Sequence, residues 1–386
     1  MDMNISDAIR YVGVNDTDID LFESQYVVPN GVSYNSYLIL DQKVAVMDTV
    51  DLRKTEEWLQ NLERELSGCQ PDYLVVHHLE PDHAGSIRAL TQRYPQMTLV
   101  ASAKAVSMLP AYFPDCANPT LAVKEGDALE LGEHTLTFVM APMVHWPEVM
   151  VSYEQKEKVL FSADGFGKFG AIGAQEDWLC EARRYYFNIV GKYGAQVQSL
   201  LKKAAGLDIQ TIAPLHGPVL KENLAYYIGK YDLWSRYEPE DEGVLIAYAS
   251  IHGNTANAAK YLKTVLEKLG CPKVAMADLC RDDQAEAVED AFRYGKMVAM
   301  ACTYDGGVFP PMEHFLTHLR DKTWRKRTVA LVENGSWAPA ACKVMRGYLE
   351  GMREITICPT THTIQGAVKE ADKKALEQIA GEILAQ

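Results

Sequence analysis

Long apolar runs are missing from this chain of 386 residues, and none approaches the length needed to cross a bilayer. Residues 1–12 lack a basic stretch followed by an apolar core, which excludes the pattern of a secretory leader. Basic residues are outnumbered: 52 Asp and Glu against 38 Lys and Arg leave a net charge of −14, and no basic run could track a phosphate backbone. Nucleic acid and membranes are therefore not expected as partners, and the expected location is cytoplasmic. The eight cysteines are spread singly from Cys69 to Cys358 and form no CxxC pair, so zinc ribbons, redox disulfides and thiolate-bound iron find no support. Small buried thiols in a reducing compartment account for them. Short internal repeats and low-complexity tracts are also absent.

What is present is an α/β pattern long enough for two compact domains. In the first part, strands are expected over 34–40, 44–47, 73–76, 98–101, 135–140, 149–153, 159–162 and 211–213, with helices over 54–66, 84–94, 104–112 and 178–201. Many strands with few helices between them predict two packed sheets flanked by helices. A helix over 224–234 is followed by a polar break at 237–243, rich in charge and containing Pro239 and Gly243. The expected domains are 1–241 and 242–386. Beyond the break the alternation is regular: strands over 244–248, 273–276, 297–301, 328–332 and 354–357 are separated by helices over 255–269, 283–292, 311–319 and 339–348, with a last helix over 369–384. That predicts a doubly wound parallel sheet.

The chemistry concentrates in His78-Leu79-Glu80-Pro81-Asp82-His83, which follows the apolar run 73–76. An extended backbone aims His78 and Glu80 to one side, and Asp82 is expected at the N-cap of a helix that His83 opens. His145, Asp164 and His216 each follow another expected strand. Four imidazoles and three carboxylates are too many donors for one metal and suit two, since three carboxylates largely offset two divalent cations. His77 is one residue off the ligand face, and His134, His314, His318 and His362 lack companions; all five stay unassigned.

At this point the sequence resembles the metallo-β-lactamase superfamily, whose binuclear hydrolases carry HxHxDH here. Glu80 replaces the second histidine, and a hard anionic oxygen moves the preference from zinc toward iron. HxExDH followed by His145, Asp164 and His216 is similar to the flavodiiron proteins. The resemblance implies an αββα sandwich in which His78, Glu80 and His145 are terminal ligands of one non-haem iron. Asp82, His83 and His216 would serve the other, and Asp164 would bridge the two. It also implies an outer supporting role for Asp48 and a position near the distal pocket for Tyr26 and Tyr193.

In the second domain, Ser250-Ile251-His252-Gly253-Asn254-Thr255 lies between a strand and a helix, where hydroxyls and free N–H groups could cradle a phosphate. Two further loops follow later strands: Thr303-Tyr304-Asp305-Gly306-Gly307, and a segment containing Asn334-Gly335-Ser336-Trp337. The domain resembles flavodoxin throughout, which implies FMN with Trp337 or Tyr304 against the flavin ring. His252 departs from the bulkier aromatic or apolar residue usual in such loops and could tune the flavin potential.

Joined, the two resemblances imply an oxidoreductase that reduces O2 to water, NO to N2O, or both, with electrons relayed through FMN. They imply a head-to-tail homodimer or a dimer of dimers. With the chain ending at Gln386, a separate electron donor is expected, either rubredoxin or a flavin or NADH reductase. The competing reading is a binuclear metal-dependent hydrolase with a regulatory flavodoxin-like domain. Glu80 argues against it.

Overall fold

The computed structural model describes residues 3–175 and 177–386. Met1 and Asp2, where the leader expectation begins, lie outside the described residues, as does Glu176. The chain divides into two compact units, Met1–Tyr186 with Ala195–Asp232, and Phe187–Gly194 with Leu233–Gln386.

The first unit is built on two sheets. One has six strands in the order Ile9–Tyr11, Tyr37–Ile39, Ala45–Met47, Tyr73–Val76, Thr98–Ser102 and Thr120–Val123. The other runs Ala128–Glu130, Thr135–Met140, Met150–Glu154, Val159–Phe161 and Thr211–Ala213. Alternate side chains share a face, so Tyr37, Ile39, Met47 and Val75 of one sheet join Phe138, Met150, Phe161 and Ala213 of the other in a single core. Outside the first sheet, the helix Thr55–Leu66 buries Trp58, Leu62 and Leu66, one per turn along one stripe. These layers give the two packed sheets that the alternation predicts, and the αββα sandwich that the resemblance implies.

Three differences from the expected elements have physical causes. The strand expected over 34–40 is two: Val32–Tyr34 pairs with Val14–Asp16, and Tyr37–Ile39 pairs with Ala45–Met47. Between them the Asn35 amide donates to the carbonyls of Pro214 (2.8 Å) and Gly217 (2.7 Å), which draws the chain out of the sheet. The helix expected over 84–94 is likewise split into Pro81–Ala84 and Ile87–Arg93, with Asp82 in its first turn and Glu80 at the N-cap. Gly85 lies in the gap, and a Cβ there would come within 2.6 Å of the Leu52 nitrogen. The helix expected over 178–201 is interrupted: Trp178–Tyr185 gives way to a π-helical turn, Tyr186–Val190, and a 3-10 turn, Gly191–Tyr193, before Gly194–Ala204 resumes. The Tyr237 hydroxyl donates to the Gly191 carbonyl (2.8 Å) and accepts from the Gly194 amide (3.2 Å), taking up backbone groups that a continuous helix would pair internally.

In the second unit five parallel strands lie in the order Val274–Asp278, Asp241–Ala249, Tyr294–Tyr304, Arg327–Asn334 and Ile355–Ile364. Sequence order 2-1-3-4-5 is the flavodoxin-like arrangement. The last strand is longer than expected because its register shifts opposite Val329 and Leu331, and the extra residues accommodate Pro359 at the sheet edge.

Candidate metal centre

The strand Tyr73–Val76 ends just before His77 and His78, and the two imidazoles go separate ways. His77 Nδ1 meets Asp48 Oδ2 at 2.5 Å, its backbone N–H donates to Asp48 Oδ1 (2.7 Å), and Nε2 meets the Ser152 hydroxyl at 2.8 Å. Asp48 thus secures the end of the strand. His78 is turned the other way, with Nδ1 donating to Glu148 Oε1 (2.8 Å). Fixing the proton on Nδ1 leaves the Nε2 lone pair pointing inward.

Around that lone pair the first group assembles. His78 Nε2 lies 3.1 Å from Glu80 Oε2 and 3.4 Å from Asp164 Oδ2, while His145 Nε2 lies 2.9 Å from Glu80 Oε2 and 3.3 Å from Asp164 Oδ2. A second group faces the other oxygen of Asp164. His83 Nε2 is 3.1 Å from Asp164 Oδ1, 3.1 Å from His216 Nε2 and 3.2 Å from Asp82 Oδ2. His216 Nε2 is 3.2 Å from Asp82 Oδ2, and its Nδ1 donates to the Ser33 carbonyl (2.7 Å). All seven residues named from the sequence therefore meet, in two sets that share Asp164.

Only some of these inward-facing contacts are hydrogen bonds: His78 Nε2 with Glu80 Oε2, and His83 Nε2 with Asp164 Oδ1 and with His216 Nε2. Both Asp82 oxygens, Asp164 Oδ2 and His145 Nε2 are buried with no aligned partner, although opposite charges lie within ion-pair range. Such groups cost free energy unless something else satisfies them. Two imidazole nitrogens facing each other at 3.1 Å across a carboxylate oxygen suit a cation at the point on which they converge.

In the metal-free state, protons take that role. Burial alone would lower the basicity of His78 and His145, but the carboxylates of Glu148 and Glu80 beside the first, and of Asp164 and Glu80 beside the second, reverse the balance; His145 is pushed up to about 9. Burial would raise Glu80 and Asp164, yet the surrounding imidazoles hold both carboxyls below their usual range. Asp82 is left as the proton carrier of its set, pushed up to about 7 by burial and by Glu80 and Asp164 beyond the favourable effect of His83. Burial holds His216 below its ordinary value.

Several contributors were not legible in the sequence. Glu148 and the Ser33 carbonyl orient ligand rings from 70 and 183 residues away, and no local motif marks them. Tyr185, whose phenol burial pushes well up, packs 5.3 Å from the His216 ring, as Phe22 does at 5.5 Å. Glu23 occupies the exposed turn of the hairpin formed by Leu21–Phe22 and Tyr26–Val27, and its carboxyl is pushed up to about 7 by desolvation and by Glu80. Tyr26 is buried against Phe169, with ring centres 6.0 Å apart. Tyr193 belongs to the second compact unit.

The second unit has its own candidate site, a pocket of 440 Å³ at the carboxyl ends of the strands. Ser250, Ile251, His252, Asn254 and Thr255 line one side, Thr303, Asp305 and Gly306 another, and Asn334, Gly335, Ser336 and Trp337 a third. Gly253, Tyr304 and Gly307 shape the loops without lining the pocket; Ala338 of the third loop lines it, as do Cys302 and Gly366, which escaped the sequence reading. Gly253 is the N-cap of the helix Asn254–Lys268, with φ +88°, so the first amides of that helix face the loop. The Thr303 hydroxyl accepts from the Ala340 amide (2.9 Å), and Asn334 exchanges hydrogen bonds with Gly366 (2.9 and 3.1 Å), which ties the loops together. Trp337 is 82% exposed, an unusual state for an indole unless a flat partner covers it. The loops, anion cradle and bare aromatic fit a flavin phosphate and ring.

A lactamase-type sandwich with a carboxylate-linked pair of donor sets, followed along the chain by a flavodoxin-type sheet, defines a two-domain protein with a candidate metal centre and a candidate cofactor pocket. Residues 32–217 match the family described as ODP family beta lactamase. The anaerobic nitric oxide reductase flavorubredoxin of Vibrio vulnificus is 28% identical over 350 residues, covering 87% of this chain and 70% of that protein. That of Aliivibrio fischeri is 29% identical with the same coverage. Among solved structures, rubredoxin oxygen:oxidoreductase from Desulfovibrio gigas superposes with a TM-score of 0.93 at 26% identity, covering 99% of this chain and 97% of the other. The flavodiiron protein from Giardia intestinalis shares the fold, with a TM-score of 0.92 at 23% identity over 100% of this chain and 97% of that one. The chain is similar to these proteins through both of its units.

Proposed function

We propose that this protein is a flavodiiron oxidoreductase that reduces O2 to water, NO to N2O, or both. His78, Glu80 and His145 would hold one non-haem iron, Asp82, His83 and His216 the other, and Asp164 would bridge them. FMN would occupy the pocket between the 250–255, 303–307 and 334–337 loops, its phosphate at the start of the helix Asn254–Lys268. When bound, the iron pair and the flavin would together store up to four electrons, enough for full reduction of O2. The domains would be 1–241 for the diiron site and 242–386 for FMN.

The protein's own groups have distinct tasks in this reading. Glu148 and the Ser33 carbonyl hold protons on the outward nitrogens of His78 and His216, so that each ring offers only Nε2 inward. Glu80 and Asp164 stay ionised, and Asp82 with His145 can release protons as metal enters. Phe22, Tyr34 and Tyr185 wall the His216 side with rings and exclude water there.

The observation that carries the proposal is the division of Asp164, with Oδ1 toward one donor set and Oδ2 toward the other. Reduced donors such as rubredoxin, or a flavin or NADH reductase, would supply electrons to a head-to-tail homodimer or a dimer of dimers. The test is anaerobic reduction of a sample with quantified iron and FMN, followed by separate O2 and NO consumption. Zinc in place of iron, together with hydrolytic turnover and no gas uptake, would overturn the reading.

A further inference from the structure

The outer face of the second sheet in the first unit carries a pocket that the reaction chemistry above does not use. Val151, Leu160 and Ile212 point away from the inter-sheet core and toward the helices Gly194–Ala204 and Leu224–Ser235, which contribute Val197, Leu201 and Ile228. The space enclosed is 250 Å³. Among the described residues that line it, the only polar side chains are Ser162 and Tyr231. Both are already engaged: the Ser162 hydroxyl donates to the Gly165 carbonyl (2.6 Å), and the Tyr231 oxygen accepts from the Phe166 amide (2.6 Å). Water needs several polar partners to settle in a cavity, so this one favours a dry, uncharged occupant.

Its two ends differ. The helix side is partly exposed at Leu200, Ala204 and Ile228, which gives an opening to solvent. The floor is made by Val144, directly before His145, and by Ser162, Gly165 and Phe166, which bracket Asp164. The lining therefore includes close chain neighbours of two of the donor residues, His145 and Asp164. Charged and strongly hydrated molecules lose solvation on entering such a space, while a small apolar gas gains.

We propose that this pocket is a binding site for the diatomic gas and its route to the metal centre, an inference that rests on the reductase reading. Crystals of the iron- and FMN-loaded protein pressurised with xenon report it directly. The expected result is a xenon atom bounded by Val144, Phe166, Leu201 and Tyr231. In solution, Ala204→Phe fills the opening. It is expected to lower kcat/KM for O2 and NO by about tenfold, leaving kcat at saturating gas, iron content and FMN content unchanged.

Xenon bound only elsewhere would overturn the route, and so would a filled variant with wild-type kcat/KM. An elongated organic molecule retained in the pocket of the isolated protein would overturn it as well, by assigning the space to another ligand. Xenon binding needs no variant, so a poorly folding Ala204→Phe leaves the test intact, and Leu201→Trp fills the same space from a different position. Wild-type protein that consumed neither gas would instead overturn the reductase reading, whatever the xenon showed.

Discussion

The two candidate sites solve opposite problems. At the metal centre, seven ionisable side chains converge in the protein interior, each held by backbone at a strand end or by a buried partner such as Glu148 or Ser33. At the flavin pocket the ligands are loops: backbone amides, hydroxyls and glycines, with Trp337 standing in solvent. On the proposed reading the first site would store unfavourable electrostatics that cations relieve, whereas the second would be covered by a large ligand. Rigid preorganisation goes with small, highly charged cofactors, and open loops go with a large planar one.

The contrast can be broken most severely at Asp164. Asp164→Ala removes the carboxylate that the two donor sets share, and the expected outcome is loss of both irons and of gas reduction with FMN retained, measured as metal and flavin content on one sample. Full iron and full activity in this variant would remove the bridging role.

Glu148→Gln is the next largest. It keeps the shape but weakens the hold on His78 Nδ1, and a loss of about 10- to 100-fold in iron affinity is expected, read by competition with a chelator. An unchanged affinity would reduce Glu148 to ordinary packing.

The mirror experiment is Thr255→Val, which removes a hydroxyl from the phosphate cradle. FMN binding is expected to weaken by about tenfold with iron unaffected, as followed by flavin fluorescence.

Smaller in size but diagnostic is the response to pH. In the metal-free protein the carboxyl of Asp82 titrates at about 7 and the imidazole of His145 at about 9, both above their unfolded values. A raised value means that folding takes up a proton, so this contribution to stability is complete below the unfolded value and is lost as pH rises through 7 and then 9. Metal-free protein should therefore melt at lower temperature toward pH 9, and ferrous iron should bind more tightly over the same range with proton release, measured by pH-stat. A flat profile would mean that the imidazoles and Asp82 are not protonated in the metal-free site.

The two sites were also unequally legible. His78, Glu80, Asp82 and His83 announce themselves because four donors crowd one strand-to-helix junction, and His145, Asp164 and His216 each follow a short apolar run that reads as a strand. Glu148 carries no such signal: it is one acid among many until the fold brings it 2.8 Å from His78. The π-helical turn at Tyr186–Val190 was hidden for a related reason, since the hydroxyl that takes up the neighbouring backbone groups belongs to Tyr237, far along the chain. Cys302 and Gly366 escaped notice in the flavin pocket because they flank the loops that turn chemistry marks. Two-residue strands such as Leu21–Phe22 are too short for any period to register.

Because one carboxylate belongs to both donor sets, the centre has no independent halves. A first cation held by one set would fix the carboxylate of Asp164 that the other set also faces, so loading is expected to be all-or-none. A titration of metal-free protein with ferrous iron should then pass from empty to doubly filled with little singly filled protein between, and a cell short of iron would hold a mixture of complete and vacant molecules.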